Sequence, residues 1–174
     1  IKAKKSGLRQ VIKNNIFRGI TTAVKLLNSS NTTIVNNVFN GNGTAISTDA
    51  DRVITNNIFL SNTMAINSDV TSIANITYND FYSNTSDGVA WSSNGNIASD
   101  PLFVETASYD FHLQSGSPCI SAGSGSIDMG AYGGSDADTI PFLVSGVTGS
   151  LDTTTNTITV NWNANTSYLV SGYH

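Results

Sequence analysis

The sequence predicts an all-β protein that folds as a parallel β-helix of about five to six coils, followed by a short C-terminal β segment. Asn-Asn-Ile/Val-Phe occurs three times, at 14–17, 36–39 and 56–59, and a degenerate copy occupies 78–81. A period near twenty residues is typical of a solenoid, because one coil cannot bury its own apolar face and needs its neighbours. Each period also holds short β-branched or aromatic runs separated by Gly, Asn, Ser and Thr. No stretch has the apolar spacing of a helix.

Two positions of the repeat should form ladders along the axis of the predicted β-helix. The phenylalanines recur at steps of 22, 20, 22 and 22 residues, and the second asparagines recur at steps of 22, 20 and 22. Strands of neighbouring coils lie about 4.8 Å apart, so residues in register should stack. Stacked rings would fill the interior, and stacked amides can hydrogen-bond from coil to coil. The predicted ladder residues are Phe17, Phe39, Phe59, Phe81, Phe103, Asn15, Asn37, Asn57 and Asn79.

The composition argues against several classes of function. Only 11% of the 174 residues are charged and the net charge is −4, which argues against a nucleic-acid partner. No apolar run reaches about 18 residues, so no membrane span is predicted. Cys119 is the only cysteine, and His112 and His174 are the only histidines, so neither an internal disulfide nor a zinc cluster is expected. Ile1 opens directly into repeat material, and we expect the chain to be a piece of a longer protein.

The stretch from Asp100 to Gly134 carries the most specific motifs of the chain. It contains Asp-Pro-Leu-Phe at 100–103, Asp-Phe-His-Leu at 110–113, Ser-Pro-Cys-Ile at 117–120 and Asp-Met-Gly-Ala-Tyr-Gly-Gly at 128–134. These motifs resemble the last coils of bacterial and archaeal right-handed parallel β-helix proteins of the pectate-lyase-like superfamily. The resemblance covers residues 1–134 and implies a right-handed helix and a secreted or cell-surface location. It does not decide the activity, because adhesins, structural proteins and polysaccharide-degrading enzymes share it.

A different pattern follows a linker at residues 135–142. Ile158 to Trp162 alternates apolar and polar residues, and Tyr173 comes eleven residues after Trp162. Residues 143–174 resemble the opening strands of a fibronectin type III domain, but such a sandwich needs roughly 90–100 residues. We expect a truncated module that is either poorly ordered or packed on a partner surface.

The best candidates for catalytic chemistry are acidic residues in the second and third coils. Asp49 and Asp69 each follow a ladder isoleucine by three residues, so the carboxylates should stack about 4.8 Å apart. Hard cations favour paired carboxylates, so these two residues and the adjacent Asp51 could hold Ca²⁺. The resemblance to polysaccharide lyases casts Arg52 as the residue that abstracts the proton α to a uronate carboxylate. The alternative is that Asp49 and Asp69 are turn residues that point into water.

Exposed aromatic side chains are candidates for stacking on sugar rings. Trp91 lies two residues past an inward-facing position, so its ring is expected to point outward, and Tyr82 lies near it in the fourth coil. Packing against a loop is an equally good interpretation. A polysaccharide or a cell-surface glycan is therefore the expected partner.

The sequence favours a structural or adhesive segment of a large secreted or cell-surface protein, with no cofactor and no catalytic activity of its own. The alternative is the C-terminal part of a Ca²⁺-dependent, pectate-type lyase. We also expect self-association of this chain, because open β-helix ends and unpaired C-terminal strands invite pairing with another chain.

Overall fold

We describe a computed structural model of the chain. It describes residues 10–27, 32–50, 52–68, 75–89 and 93–134, together with strand backbone at 2–3, 148–152 and 157–161. The chain divides into two compact units, Ile1–Ala137 and Asp138–His174. In the residues just given, the structure contains no helix with the length and apolar character needed to span a bilayer.

Regular structure in the described residues consists of short strands. In chain order the strands are β1 (Lys2–Ala3), β2 (Gln10–Lys13), β3 (Ile16–Arg18), β4 (Thr22–Leu26), β5 (Thr32–Val35), β6 (Val38–Asn40), β7 (Thr44–Thr48), β8 (Val53–Thr55), β9 (Ile58–Leu60), β10 (Met64–Ser68), β11 (Ile76–Thr77), β12 (Asp80–Tyr82), β13 (Phe103–Glu105), β14 (Asp110–Leu113), β15 (Thr148–Asp152) and β16 (Thr157–Asn161).

The first twelve strands form three parallel sheets, and each coil contributes one strand to each sheet. Sheet A has the order β1-β4-β7-β10, sheet B the order β11-β8-β5-β2, and sheet C the order β12-β9-β6-β3. Their pairings are parallel and in register, so that Ile34 lies beside Ile12 and Ile54. This arrangement confirms the predicted parallel β-helix.

One apolar core runs through the interior of the coils. The rings of Phe17, Phe39, Phe59 and Phe81 stack with centroids 4.9–5.0 Å apart and planes within 6–9° of parallel. The isoleucine series of sheet B and the aliphatic series of sheet A line the same core. The centroid spacing matches the distance between strands, so one register accommodates both the backbone pairing and the aromatic stack.

The second asparagine of each pair forms a buried ladder along the helix axis. Asn57 is fully buried, and its Oδ1 accepts from the backbone N–H of Asn37 at 2.9 Å and from Asn37 Nδ2 at 2.9 Å. Asn57 Nδ2 donates to Asn79 Oδ1 at 3.0 Å and to two backbone carbonyls, those of Ile34 and Thr55. The ladder therefore satisfies backbone groups at the corner between sheets B and C, where the strand pairing is interrupted.

A second asparagine ladder, which the sequence analysis did not identify, lies at the corner between sheets C and A. It consists of Asn42, Asn62 and Asn84 at steps of 20 and 22 residues. Asn42 Nδ2 donates to Asn62 Oδ1, and Asn62 Nδ2 donates to Asn84 Oδ1, both at 2.9 Å. Asn42 and Asn62 are buried. In the second, third and fourth coils, two corners are thus closed by the same kind of amide contact.

The ladders change at the fifth coil, and the prediction for Phe103 is wrong there. Asn96 continues the first ladder, because its Oδ1 accepts from Asn79, but the step is only 17 residues. The short step moves Phe103 out of register with Phe81. The Phe103 ring instead packs edge-on against Phe111 at 5.2 Å, in a second apolar cluster. Strands β13 and β14 form an antiparallel hairpin in place of another parallel coil.

In the second unit, the described residues form one antiparallel hairpin of β15 and β16. The alternating stretch that begins at Ile158 lies in β16. Trp162 and Tyr173, which carry the resemblance to fibronectin type III, lie outside the described residues.

We expect Asn57→Leu to lower the free energy of unfolding by several kcal/mol. The change leaves buried partners in two neighbouring coils without hydrogen bonds, and each such group costs about 1–3 kcal/mol. Urea unfolding measures the loss. Asn67→Leu is the matched control, because Asn67 lies in β10 of the same coil and is exposed. Equal stability of the two variants would contradict a structural role for the amide ladder.

Candidate functional site

The residues after the fourth coil fold back over the outer face of sheet C. We name residues 97–134 the closing segment. Its residues Phe103, Phe111, Cys119, Met129 and Ala131 form a buried cluster with Val38 and Ile58, whose side chains lie on the outer side of the sheet. Val38 and Ile58 are fully buried as a result. At β6 and β9, sheet C is therefore covered on both faces, by the phenylalanine stack inside and by the closing segment outside.

The first asparagine of each pair holds the closing segment in place. Asn14, Asn36 and Asn56 adopt left-handed backbone conformations with φ of 51–57°, which asparagine tolerates better than most residues. Asn14 Nδ2 donates to the carbonyls of Ala131 and Gly133 at 2.8 and 3.0 Å. Asn36 Nδ2 donates to the carbonyl of Asp128 at 3.0 Å.

The third of these asparagines shows in which direction the closing segment runs. Asn56 Oδ1 accepts from the N–H of Ser124 at 2.8 Å, and Asn56 O accepts from the N–H of Gly130. The chain thus passes from the third coil at Ser124 to the first coil at Gly133, against the direction in which the coils accumulate. Three equivalent side chains of the repeat bind three successive parts of one returning segment.

A buried carboxyl and the single thiol meet where the closing segment crosses the fourth coil. Asp80 is fully buried, and its Oδ1 accepts from the N–H of Ser99 at 3.0 Å. The Cys119 thiol lies 3.4 Å from Asp80 Oδ2. Burial raises the pKa of Asp80 to about 7, and the nearby Asp100 and Asp87 act in the same direction. Burial and the Asp80 carboxyl together raise the pKa of the Cys119 thiol far above its usual value, so the thiol stays protonated.

A second polar group lies at the edge of the closing segment. His112 Nδ1 is 2.5 Å from Asp110 Oδ1, and the imidazole stacks on the Tyr132 ring at 3.6 Å. Hydrogen bonds from His112 lower the pKa of Asp110. In the turn before β14, the Tyr109 ring lies under the Arg18 guanidinium at 4.5 Å, so this turn reaches the first coil. Both contacts hold the closing segment together or attach it to the coils.

Arg52, the predicted catalytic residue, and Asp49, one of the predicted metal ligands, lie in the turn between β7 and β8. Arg52 is buried and its Nη2 donates to Asp49 Oδ1 at 3.2 Å, whereas the Asp49 side chain is 29% exposed. Asp51 and Asp69 lie outside the described residues, so the predicted stack of Asp49 on Asp69 stays a prediction. The ion pair places the positive charge of Arg52 against the carboxylate that was expected to bind Ca²⁺.

The proposed sugar-binding aromatics are only partly described. Tyr82 is half-buried in β12, in register with Leu60. Leu60 packs against the cluster beneath the closing segment, so Tyr82 lies beside that cluster. Trp91 lies outside the described residues. A joint surface of Tyr82 and Trp91 stays a prediction.

Sequence reasoning missed the first asparagines and Asp80, which join the coils to the closing segment. The first asparagines recur with the ladder period, but the repeat gives no sign that their side chains face outward. Asp80 was visible as the one acidic residue at a position that Ile16, Val38 and Ile58 occupy in other coils. A charged residue at an otherwise apolar repeat position was the available signal.

The fold defines a class: a parallel β-helix whose last residues return along one outer face. A comparison with protein-family models matches residues 4–119 to the family described as periplasmic copper-binding protein (NosD). The match spans well over half of the chain, so the chain belongs to the NosD family, which is a family of parallel β-helix proteins. The comparisons with curated proteins and with solved structures give no match. The family description supports a location outside the cytoplasm.

The described His, Cys, Asp and Glu residues do not form a site for the copper named in the family description. Copper sites in proteins use imidazole, thiolate and thioether ligands. The Cys119 thiol is held protonated against Asp80, and the His112 imidazole is fixed by Asp110 and Tyr132. No group of three or more His, Cys, Asp or Glu residues converges in the part of the chain that the structure describes. The family description names copper, so it gives no support to the expected Ca²⁺.

We expect Gly133→Ala to detach the closing segment from the first coils. A Cβ atom at Gly133 would lie 1.9 Å from the Asp128 carbonyl oxygen and 2.6 Å from Asn36 Nδ2. The clash breaks the contact of Asn36 with the closing segment, and overpacking of this kind costs about 1–3 kcal/mol or more. Urea unfolding and limited proteolysis within residues 97–134 measure the effect.

Gly125→Ala is the control for this prediction. Nothing lies within 4 Å of the Cβ position at Gly125, although its φ of +79° strains an alanine. The control therefore carries backbone strain without a clash. If Gly125→Ala destabilised the chain as much as Gly133→Ala does, the proposed attachment would be contradicted.

Proposed function

We propose that this chain is a rigid structural segment of a larger extracytoplasmic protein, with faces that contact a polysaccharide or a cell-surface glycan. The observation that carries the proposal is the use of the repeating polar side chains. Both asparagine ladders bond from coil to coil, and the first asparagines bond to the closing segment. Side chains engaged in this way stabilise the rod and are not available to a substrate.

The arrangement of the coils supports rigidity along the axis. Hydrogen-bonded backbone, stacked rings and stacked amides share one spacing, and each coil contacts only its neighbours in the stack. The closing segment joins the first, second and third coils through Asn14, Asn36 and Asn56. Because the closing segment is bonded to all three coils, it opposes any bending motion that would move these coils apart.

A uniform pattern of amide hydrogen exchange would test the rigid-segment proposal. Val24, Ile46 and Ile66 occupy equivalent buried positions in sheet A, so their amides should exchange through a common opening at similar rates. Addition of a polysaccharide should leave these rates unchanged and protect amides near the bound face only. A coil that exchanges far faster than its neighbours without any ligand would contradict a rigid rod.

The alternative function is that of a polysaccharide lyase, and the Asp49–Arg52 pair is the observation that bears on it. Proton abstraction needs a base that reaches the substrate with its proton removed. Arg52 is buried and its guanidinium is ion-paired with Asp49. Its placement supports a role in holding the turn between β7 and β8. Copper chemistry is not assigned to this chain, because the described ligands do not converge.

We expect Ca²⁺ to leave the melting temperature of the chain unchanged and pectin to yield no unsaturated product. The Arg52 guanidinium already neutralises Asp49, so a cation gains little by binding there. Calorimetry with and without Ca²⁺, and ultraviolet absorbance of the pectin digest, measure the two outcomes.

Variants distinguish a specific calcium site from weak binding to surface carboxylates. A specific site would show as a rise in melting temperature with Ca²⁺ that is lost in the double variant Asp49→Asn, Asp69→Asn. The same rise should persist in Glu105→Gln. That combination of results would support a metal site and the lyase alternative. Glu105 is an exposed carboxylate in β13 and serves as the matched control. Release of unsaturated product would by itself contradict a purely structural function.

A further inference from the structure

Asp80 occupies a position that the preceding three coils fill with apolar residues. In sheet C, the residues in register with it in the third, second and first coils are Ile58, Val38 and Ile16. Asp80, like Val38 and Ile58, is completely buried, and in the fourth coil the closing segment lies over this column. A buried carboxylate is costly unless a cation or several hydrogen bonds compensate for the lost water.

The groups that act on Asp80 supply only part of that compensation. From the closing segment, the Ser99 N–H and the Cys119 thiol approach its two oxygens. Asp100 in the closing segment and Asp87 in the turn after β12 add negative charge. The neighbours in register, Ile58 on one side and Ile97 on the other, are apolar. None of these groups is a cation.

We propose that Asp80 is a pH-dependent switch for the attachment of the closing segment. With the carboxyl protonated, residues 97–134 cover Val38, Ile58 and Asp80 in sheet C. With the carboxyl ionised, the cost of keeping a negative charge away from water exceeds what the hydrogen bonds from Ser99 and Cys119 recover, and the cover is weakened. The switch depends on the contact of Asp80 with the closing segment, and it stands whether or not the chain binds a glycan.

The sign of the effect follows from the raised pKa. Asp80 keeps its proton to about pH 7 with the closing segment in place, whereas an exposed aspartate loses it near pH 4. Attachment is therefore strongest below about pH 4, weakens as the pH rises through about 7, and changes little above that. This direction is opposite to that of a carboxylate stabilised by a salt bridge.

Labelling of Cys119 with a maleimide measures the opening of the closing segment. Cys119 is the only cysteine and is fully buried, so it reacts only when the segment opens or the chain unfolds. Dividing the wild-type rate by the rate of Asp80→Asn at each pH cancels the intrinsic pH dependence of the thiol. One proton released per opening predicts that the ratio rises by about tenfold per pH unit between pH 5 and 7 and then levels off. A ratio independent of pH would overturn the proposal.

Further variants separate release of the closing segment from other effects. Asn14→Gly keeps the left-handed backbone but removes the contacts with Ala131 and Gly133, far from Asp80. It should speed labelling at every pH and leave the pH slope unchanged. Labelling should also be insensitive to urea below the unfolding transition, as expected for a local opening. An unchanged rate in Asn14→Gly, or labelling that follows global unfolding, would contradict the switch.

Asp80→Val is the second reference if Asp80→Asn does not fold. Valine is the residue at the equivalent position in the second coil, where it is fully buried beneath the closing segment. The labelling rate of Asp80→Val, divided by the rate of the denatured chain at the same pH, should show no pH dependence. A residual tenfold rise per pH unit in Asp80→Val would assign the effect to another group and overturn the proposal.

Discussion

The register between coils decides which side chains can occupy the interior of this β-helix. Parallel strands fix the rise per coil, and each recurring side chain must then interact with a copy of itself about 4.8 Å away. Few side chains do this favourably when buried. A phenylalanine ring stacks on a ring, as in the 4.9–5.0 Å series from Phe17 to Phe81. An asparagine amide is both donor and acceptor, so it bonds to the next amide and to the backbone at once.

The two asparagines of each pair have different structural roles. The second member, such as Asn37, faces inward and closes the corner of its own coil by bonding to Asn57. The first member, such as Asn36, adopts a left-handed conformation at the same corner and bonds to the backbone of the closing segment. One dipeptide therefore builds the coil and also attaches the residues that cover it. The apolar position that follows, Val38, completes the contact by packing beneath Met129 and its neighbours.

The coils were predictable from sequence, and the closing segment was not. Asn57 and Phe59 could be placed because their contacts join equivalent residues at a fixed step, which a period reveals. Asn42, Asn62 and Asn84 follow the same rule at steps of 20 and 22, so the signal for the second ladder was present. Phe103 was misplaced because the step from the fourth coil to the fifth is 17 residues, and a shortened turn leaves no mark in composition. The contact of Asn36 with Asp128 joins a side chain to a backbone carbonyl 92 residues away, and any residue type can supply that carbonyl.

Hydrogen exchange of the Asn57 side-chain amide tests whether buried amide ladders hold the coils in register. Nuclear magnetic resonance resolves the exchange of Nδ2 protons with solvent. The structure predicts that the Nδ2 protons of Asn57 and Asn62, which each bond to the next amide in the ladder, exchange as slowly as the backbone amides of sheet C. Those of the exposed Asn67 should exchange at the rate of a free side chain. Fast exchange at Asn57 and Asn62, with the backbone of sheet C still protected, would show that the strands hold the register without the ladders and would contradict the account.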